Sequence, residues 1–351
     1  MAVIQSLGAA LDLVAPPVSE AEARSLAQGY FGIDGYVRTL GGERDRNFHL
    51  RDQAGREFVI KVAHPDEDPQ AIDLQSRALQ HIAARAPDLP VPRLIPPLSQ
   101  SAIAATWSKP GERPRLVRVL TYLPGQALAS SELTSAQCRQ IGSGLATLDR
   151  VLQDFVHLSE KRALLWDLQN AARVRNLLSA VTDLGHRKLA HKCLDNFETH
   201  VVPELPRLRR QVIHNDFNPH NVLKESSGKI SGIIDFGDMV MAPLVQDFAV
   251  AAAYHVAASR DPLANVGAMA AAYQAGNPLE EKEIELLPDL LGTRLVLSVA
   301  IGSWRAALHP ENAGYLLRNV PKAWNSLAGL DSISRSEAQS ILKKAFLGGT
   351  A

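Results

Sequence analysis

The chain has little of what several protein classes depend on. Two of its 351 residues are cysteine, Cys138 and Cys193, and no C-x-x-C pair occurs. A disulfide framework is excluded, and no zinc-ligand spacing is present. Reduced thiols suit a cytoplasmic protein. Neither sign of charge is in surplus, with 37 Lys plus Arg against 37 Asp plus Glu. Nucleic acid or an anionic membrane surface calls for a basic excess, so neither partner is expected. A local basic patch for phosphates remains compatible with a zero sum. Long apolar runs are missing too. The most apolar stretch, Met239 to Ala258, is broken by Pro243, Gln246, Asp247 and His255. It reads as a buried core helix, not a membrane span. The first residues, MAVIQSLGAALDLVAPP, lack the basic n-region of a signal peptide. No internal repeat stands out. The length predicts two domains or lobes with ample core.

What is present concentrates in one stretch, Val212 to Asp238, VIHNDFNPHNVLKESSGKISGIIDFGD. It holds an H-x-D-x-x-x-x-N pattern on His214, Asp216 and Asn221. A turn signal follows at Ser226-Ser227-Gly228, then an apolar run from Ile230 to Ile234 that ends in Asp235-Phe236-Gly237. The order is strand, loop, hairpin strand, acidic turn. Each part suits phosphoryl transfer. Asp216 can accept a hydroxyl proton, while Asn221 and Asp235 can hold Mg²⁺ against triphosphate oxygens. Mg²⁺ needs only one or two protein carboxylates, because substrate phosphates supply further oxygens. His214 fits a bracing hydrogen bond better than proton transfer, and His220 is a weaker candidate for either. The plain alternative is a buried hairpin whose polar loop residues satisfy backbone groups. The H-x-D-x-x-x-x-N pattern alone can arise by composition; the D-F-G after a hairpin turn makes chance a poor explanation.

Upstream, Ser19-Glu-Ala-Glu22 is a capping-box pattern ahead of a helix to about Tyr30. Strands are predicted at Tyr36 to Leu40, Asn47 to Arg51 and Glu57 to Ala63, an antiparallel meander. The third strand carries Lys61 inside an apolar run, where burial without a partner is costly. Lys61 is read as reaching nucleotide phosphates; the alternative is an edge lysine snorkelling to water. The loop Gly41 to Arg46 is not G-x-G-x-x-G. Gly41 and Gly42 can still present N–H groups to phosphates, with Arg44 or Arg46 adding charge; a plain hairpin turn is the rival. Pro69 to Ala84 has helical spacing. It offers no glutamate opposite Lys61, only Gln75 and the nearby Asp73.

Leu116 to Tyr122 is a further strand, and Leu123-Pro124-Gly125 breaks the chain. Sheet-rich sequence precedes this point and helix-rich sequence follows. Two lobes are expected, 1–122 and 123–351, giving an α+β fold with a nucleotide-binding antiparallel sheet and a mainly helical second lobe. Backbone groups from Thr121 to Leu123 would face a purine edge, unless the segment is an ordinary linker. Helices are predicted at Thr134 to Gln153, from Trp166 onward, and at Lys188 to Leu205, Val245 to Val256, Glu280 to Leu291 and Arg294 to Leu308. Asp167 is either a helix cap or a ligand for a substrate amine. Asp183 reads as a turn aspartate, and Asp247 as a cap or loop anchor. Arg294, Arg305 and Trp304 are candidates for a substrate carboxylate. No long activation loop and no A-P-E follow the D-F-G, which disfavours a protein kinase.

His214, Asp216, Asn221 and Asp235, with Lys61 upstream, resemble the aminoglycoside phosphotransferase and choline kinase group of small-molecule kinases. Three further stretches are similar to the hydroxylysine kinase family within it: LWDLQNA at 165–171, GIIDFGDMVMAPLVQDFAVAAAY at 232–254 and NAGYLLRNVPKAW at 312–324. The resemblance covers about Tyr36 to Leu330 and is thin in the loop at Gly41. It implies a protein-kinase-like bilobal fold, Mg²⁺, and ATP or GTP as donor to the hydroxyl of a small amino alcohol or hydroxy amino acid, with 5-hydroxylysine foremost. Ethanolamine, homoserine or an aminoglycoside as acceptor remain alternatives, as does a pseudokinase that binds nucleotide without turnover. A cationic acceptor needs carboxylates near Asp216, and Asp238 and Asp167 are on offer. A homodimer is compatible with this reading.

Overall fold

The computed structural model describes residues 15–42, 44–99, 103–130 and 133–348. Helix α1 (Glu20–Phe31) starts as its capping box dictates, with the Ser19 side chain accepting from the Glu22 N–H. It stops at Gly32, whose φ of 68° suits a residue without Cβ. The chain then builds an antiparallel sheet. Strands β1 (Gly35–Leu40), β2 (Arg46–Asp52), β3 (Glu57–Val62), β6 (Arg115–Thr121) and β4 (Leu94–Ile95) lie side by side in that order, and β5 (Ala105–Trp107) also pairs with β6.

Alternation sorts the two faces of this sheet. Phe58, Ile60 and Val62 of β3 pack with Val117 and Val119 of β6 and with Ala23, Leu26 and Phe31 of α1. The intervening residues, Lys61 and its cross-strand partner Arg118, point the other way. That second face meets α2 (Pro69–Arg85), capped by Asp68. One face is therefore oily and the other carries two cations.

Beyond the sheet, β7 (Gln126–Ala127) pairs with β9 (Val222–Lys224), which pairs with β10 (Ile230–Ile233). A second short ladder joins β8 (Arg210–Ile213) to β11 (Val240–Pro243). Helices supply the remaining bulk: α3 (Ser135–Leu152), α4 (Leu184–Asn196), α5 (Leu244–Ala253), α6 (Ala264–Gly276), α7 (Glu281–Leu308), α8 (Ala313–Leu316), α9 (Val320–Asp331) and α10 (Arg335–Leu347). An antiparallel-sheet N-terminal part is thus followed by a mostly helical part, as expected. Helix α7 runs through the centre and is buried on all sides from Leu286 to Gly302, as an all-round apolar helix must be. No described helix is long and apolar enough to cross a membrane.

Local expectations differ at four places. The two helices expected at 280–291 and 294–308 are one, α7, with Pro288 inside it. Burial from every direction offsets the one lost backbone hydrogen bond. Leu168–Ala180 is a run of 3₁₀ turns instead of an α-helix. The helix expected at 188–205 begins earlier, at Leu184, and loosens into a π turn at Phe197–Val201. Asp183 is its N-cap, accepting the His186 N–H, and not a free turn residue.

Candidate active site

The cation-bearing sheet face, the β8–β9 loop and the C-terminal half of α7 enclose a cleft of about 950 Å³. The loop is held from below. Asp247, in the first turn of α5, accepts the His214 N–H at 2.9 Å and the Asn215 N–H at 2.7 Å. Asn215 has φ 63°, a left-handed conformation that asparagine tolerates better than most residues but that still needs support. Two charge-assisted bonds from one buried carboxylate provide it.

His214 is buried and its neighbours fix its state. Nδ1 faces the Asp216 N–H at 3.2 Å and so accepts; Nε2 faces the Ile234 carbonyl at 3.2 Å and so donates. That is the neutral imidazole, and burial pushes its pKa down accordingly. The ring therefore ties the β8–β9 loop to the end of β10.

Asp216 projects into the cleft. Its Oδ1 accepts from Asn218 at 2.8 Å and from Arg294 at 3.2 Å, and its Oδ2 accepts from Asn221 at 2.7 Å. Burial first, then the Asp238 charge, lift its pKa to about 7, against the pull of Arg294. Because Asn221 gives its amide nitrogen to Asp216, its amide oxygen is turned elsewhere, and Asn221 lines the cleft. Asp235 lines it too, in a left-handed conformation with φ 61°. The Lys61 charge holds the Asp235 carboxyl below its usual range, ahead of the opposing effect of burial. Asp238 behaves oppositely: burial raises it, against Arg162.

An ionised carboxylate and an amide oxygen form a hard donor set suited to Mg²⁺. Among the described residues, no three or more His, Cys, Asp or Glu side chains are grouped to cage a metal. Mg²⁺ bound largely through phosphates needs no such cage.

Lys61 finds a counter-ion the sequence did not suggest, with Asp45 Oδ2 at 3.7 Å. Gln75, in the turn where a glutamate was sought, accepts instead from Arg118 at 3.0 Å, and Ser76 Oγ lies 3.3 Å from the same guanidinium. Arg118 is buried, and desolvation lowers its pKa. It was readable in principle: LVRVLTY alternates as EFVIKVA does, which places Arg118 beside Lys61. Arg44 approaches Glu67 at 2.6 Å and lines the cleft with Gly41 and Gly42.

Four expected site residues are not where they were placed. Arg46 turns away to donate to the Ala15 carbonyl at 2.6 Å, because β2 begins there and its side chain points to the outer face. Asp167 caps the 3₁₀ run, accepting the Gln169 N–H at 2.9 Å, and does not line the cleft. The Thr121 N–H and hydroxyl are both engaged by Arg93, because β4 covers that edge of β6. Leu123 packs beside Gly232. Neither Thr121 nor Leu123 lines the cleft. Trp166 and Tyr254, which the sequence did not mark, do so, flanking Arg294 with its guanidinium carbon 5.1 and 5.6 Å from their ring centres.

A family profile described as the phosphotransferase enzyme family matches residues 36–283. The chain belongs to that family. This phosphotransferase is 28% identical to hydroxylysine kinase of Mus musculus, over 93% of each chain. It is 28% identical to homoserine kinase of Azorhizobium caulinodans, over 66% of this chain and 69% of the relative. A solved structure of a microcompartment-associated aminopropanol kinase superposes with a TM-score of 0.68 at 18% identity, covering 94% of this chain and 99% of that one. The protein-kinase-like fold is shared with such enzymes. The phosphotransferase takes its phosphoryl group from a nucleotide and acts on the hydroxyl of a small molecule.

Proposed function

We propose that the protein transfers the γ-phosphoryl group of ATP or GTP, with Mg²⁺, to the side-chain hydroxyl of a hydroxy amino acid, 5-hydroxylysine first among them. The observation that carries this is Asp216: a half-buried carboxylate flanked by Asp238 and Arg294 in one cleft. An amino acid acceptor presents a hydroxyl, an ammonium and a carboxylate, and a cleft of mixed charge is what such a molecule requires. Hydroxylysine and homoserine, the acceptors in the relatives' names, share those three groups.

In this reading Asp216 orients the acceptor hydroxyl and takes its proton as the oxygen bonds to phosphorus and the bond to the β-phosphate oxygen breaks. Asn218, Asn221 and Arg294 fix the carboxylate's orientation, which is worth more here than basicity. Asn221 and Asp235 would hold Mg²⁺, which when bound neutralises charge on the phosphates. Lys61 reaches phosphate oxygens, with the Gly41 and Gly42 backbone beside them. Asp238 receives the acceptor ammonium. Residues 1–122 form the nucleotide-binding lobe and 123–351 the lobe of the catalytic loop and acceptor pocket.

The test is a transfer assay with each nucleotide, with and without Mg²⁺, over hydroxylysine, homoserine, ethanolamine and an aminoglycoside. Metal-dependent phosphorylation of the hydroxy amino acids above the others is expected. Preference for ethanolamine would overturn the acceptor class, and no transfer to any of them would overturn the reading.

A further inference from the structure

An α-carboxylate needs a cation with open donors, and Arg294 is not it. Its Nη2 already serves Asp216 and Tyr254, its Nη1 serves the Trp166 carbonyl, and its side chain is 2% exposed. A substrate carboxylate there would compete with the base itself.

A different arginine has open donors. Arg318 lines the same cleft. Its guanidinium carbon lies 3.6 Å from the centre of the Tyr315 ring. Stacking on an aromatic face leaves the N–H groups of a guanidinium pointing outward in its plane, the geometry that forks onto a carboxylate. Among the described residues Arg318 makes no ion pair and no side-chain hydrogen bond. This contrasts with Arg44, Arg162 and Arg294 in the same region, each of which has a carboxylate within 4 Å.

The segment that carries Arg318 is fixed in place. Asn319 Oδ1 lies 3.4 Å from His220 Nε2, inside the β8–β9 loop two residues past Asn218. On the other side it rests on α7 at Gly302, where a Cβ would come within 2.9 Å of Val320 and 3.2 Å of the Leu316 carbonyl. Gly302 lets the segment sit close against the helix. Arg318 is thereby tied to the loop that bears the base, with the Tyr315 ring beneath its guanidinium.

We infer that Arg318, stacked on Tyr315, is the receptor for the acceptor's carboxylate and makes the enzyme select amino acids over simple amino alcohols. This rests on the hydroxy amino acid reading above and assigns it a residue.

The experiment compares hydroxylysine with its decarboxylated diamine, and homoserine with its decarboxylated amino alcohol. Binding is followed by calorimetry and transfer by steady-state kinetics, in wild type, Arg318→Met and Arg318→Lys. Melting temperatures confirm that this exposed substitution leaves the fold intact. Arg318→Met is expected to weaken binding of the amino acids and raise their KM by ~10-fold or more, as loss of one partner of a charge pair does. Affinity for the decarboxylated partners and the nucleotide KM should not move, and Arg318→Lys should recover part of the loss. Equal effects on both members of a pair, no effect, or a wild type that binds both members alike or neither would overturn the assignment. If hydroxylysine is phosphorylated while Arg318→Met is indifferent to its carboxylate, the assignment fails and the kinase reading stands. If the amino acids bind through Arg318 but receive no phosphate, the kinase reading fails and the assignment stands.

Discussion

Arg294 Nη2 stands 3.2 Å from Asp216 Oδ1, and the arginine side chain is almost wholly buried. The pair joins the middle of α7 to the loop between β8 and β9. Asp216 is pulled two ways: burial and Asp238 favour its protonated form, while Arg294 favours the carboxylate. Since the carboxylate is the form that accepts a proton, activity should rise with pH as Asp216 ionises, in a range near its value of about 7.

The first prediction follows from the signs. Arg294→Met removes the stabilising cation, so the acidic limb of kcat/KM should move to higher pH. Asp238→Asn removes the competing anion, so the same limb should move to lower pH. Both profiles are measured with saturating nucleotide. Shifts in the same direction, or none, would show that Asp216 is not the group that titrates.

Asp235 and Lys61 should separate by readout. Asp235→Ala takes away the one full carboxylate charge placed on the metal, so Mg²⁺ should no longer tighten nucleotide binding, measured by calorimetry with and without the ion. Lys61→Ala should raise the nucleotide KM and lower turnover together. Asp45→Asn, which loosens the 3.7 Å contact to Lys61, should change either parameter less than Lys61→Ala does. If Mg²⁺ still tightens binding to Asp235→Ala, the metal lies elsewhere.

Much of this cleft was legible because its chemistry is local in sequence. Asp216, Asn221 and Asp235 fall within one hairpin, so spacing alone placed them together. Strands β1 to β3 and β6 were legible because one face is apolar and alternation records it. What escaped depends on distant parts of the chain. Asp45 and Lys61 meet because β2 and β3 pair. Arg294 reaches Asp216 across 78 residues. Asp167 shows the converse limit: an aspartate before a helical run suits a cap and a ligand equally, and only its burial under Gln169 decides. The break expected between Leu291 and Arg294 is absent, because packing on all sides carries α7 straight through.

Packing makes its own prediction where α3 crosses α6. A Cβ on Gly142 would lie 2.2 Å from the Met269 carbonyl oxygen, which is backbone and cannot step aside. Gly142→Ala must therefore push the helices apart, at a cost of ~1–3 kcal/mol or more. Gly144, one turn-half away on the same helix, has only an Ile233 methyl at 4.0 Å. Gly144→Ala should instead stabilise by ~0.5–1 kcal/mol, through helix propensity. Denaturant unfolding of the two variants checks both signs, and equal destabilisation would contradict the tight crossing.

The last prediction concerns a carboxyl that touches no substrate. Asp149 of α3 is fully buried; its Oδ2 accepts the Tyr273 hydroxyl at 2.6 Å, and the Asp247 carboxyl is its other polar neighbour. Burial, and then the charge of Asp247, raise its pKa well above the ordinary carboxylate range. Asp247 is the residue that clamps the His214 and Asn215 N–H groups, so Asp149 lies one step behind the catalytic loop. A raised folded-state pKa means that the folded protein keeps a proton the unfolded chain releases near pH ~4. Above that point the folded state binds more protons, so this group's contribution to stability falls as pH rises toward its folded value. Asparagine at 149 has a similar shape and cannot ionise. The melting temperature of Asp149→Asn relative to wild type should therefore improve steadily as pH is raised from about 5 to about 8. An unchanging gap across that range would mean that Asp149 is ionised in the folded protein. Turnover of the variant at the pH of its best relative stability would then report how far the clamp on Asn215 depends on the group behind it.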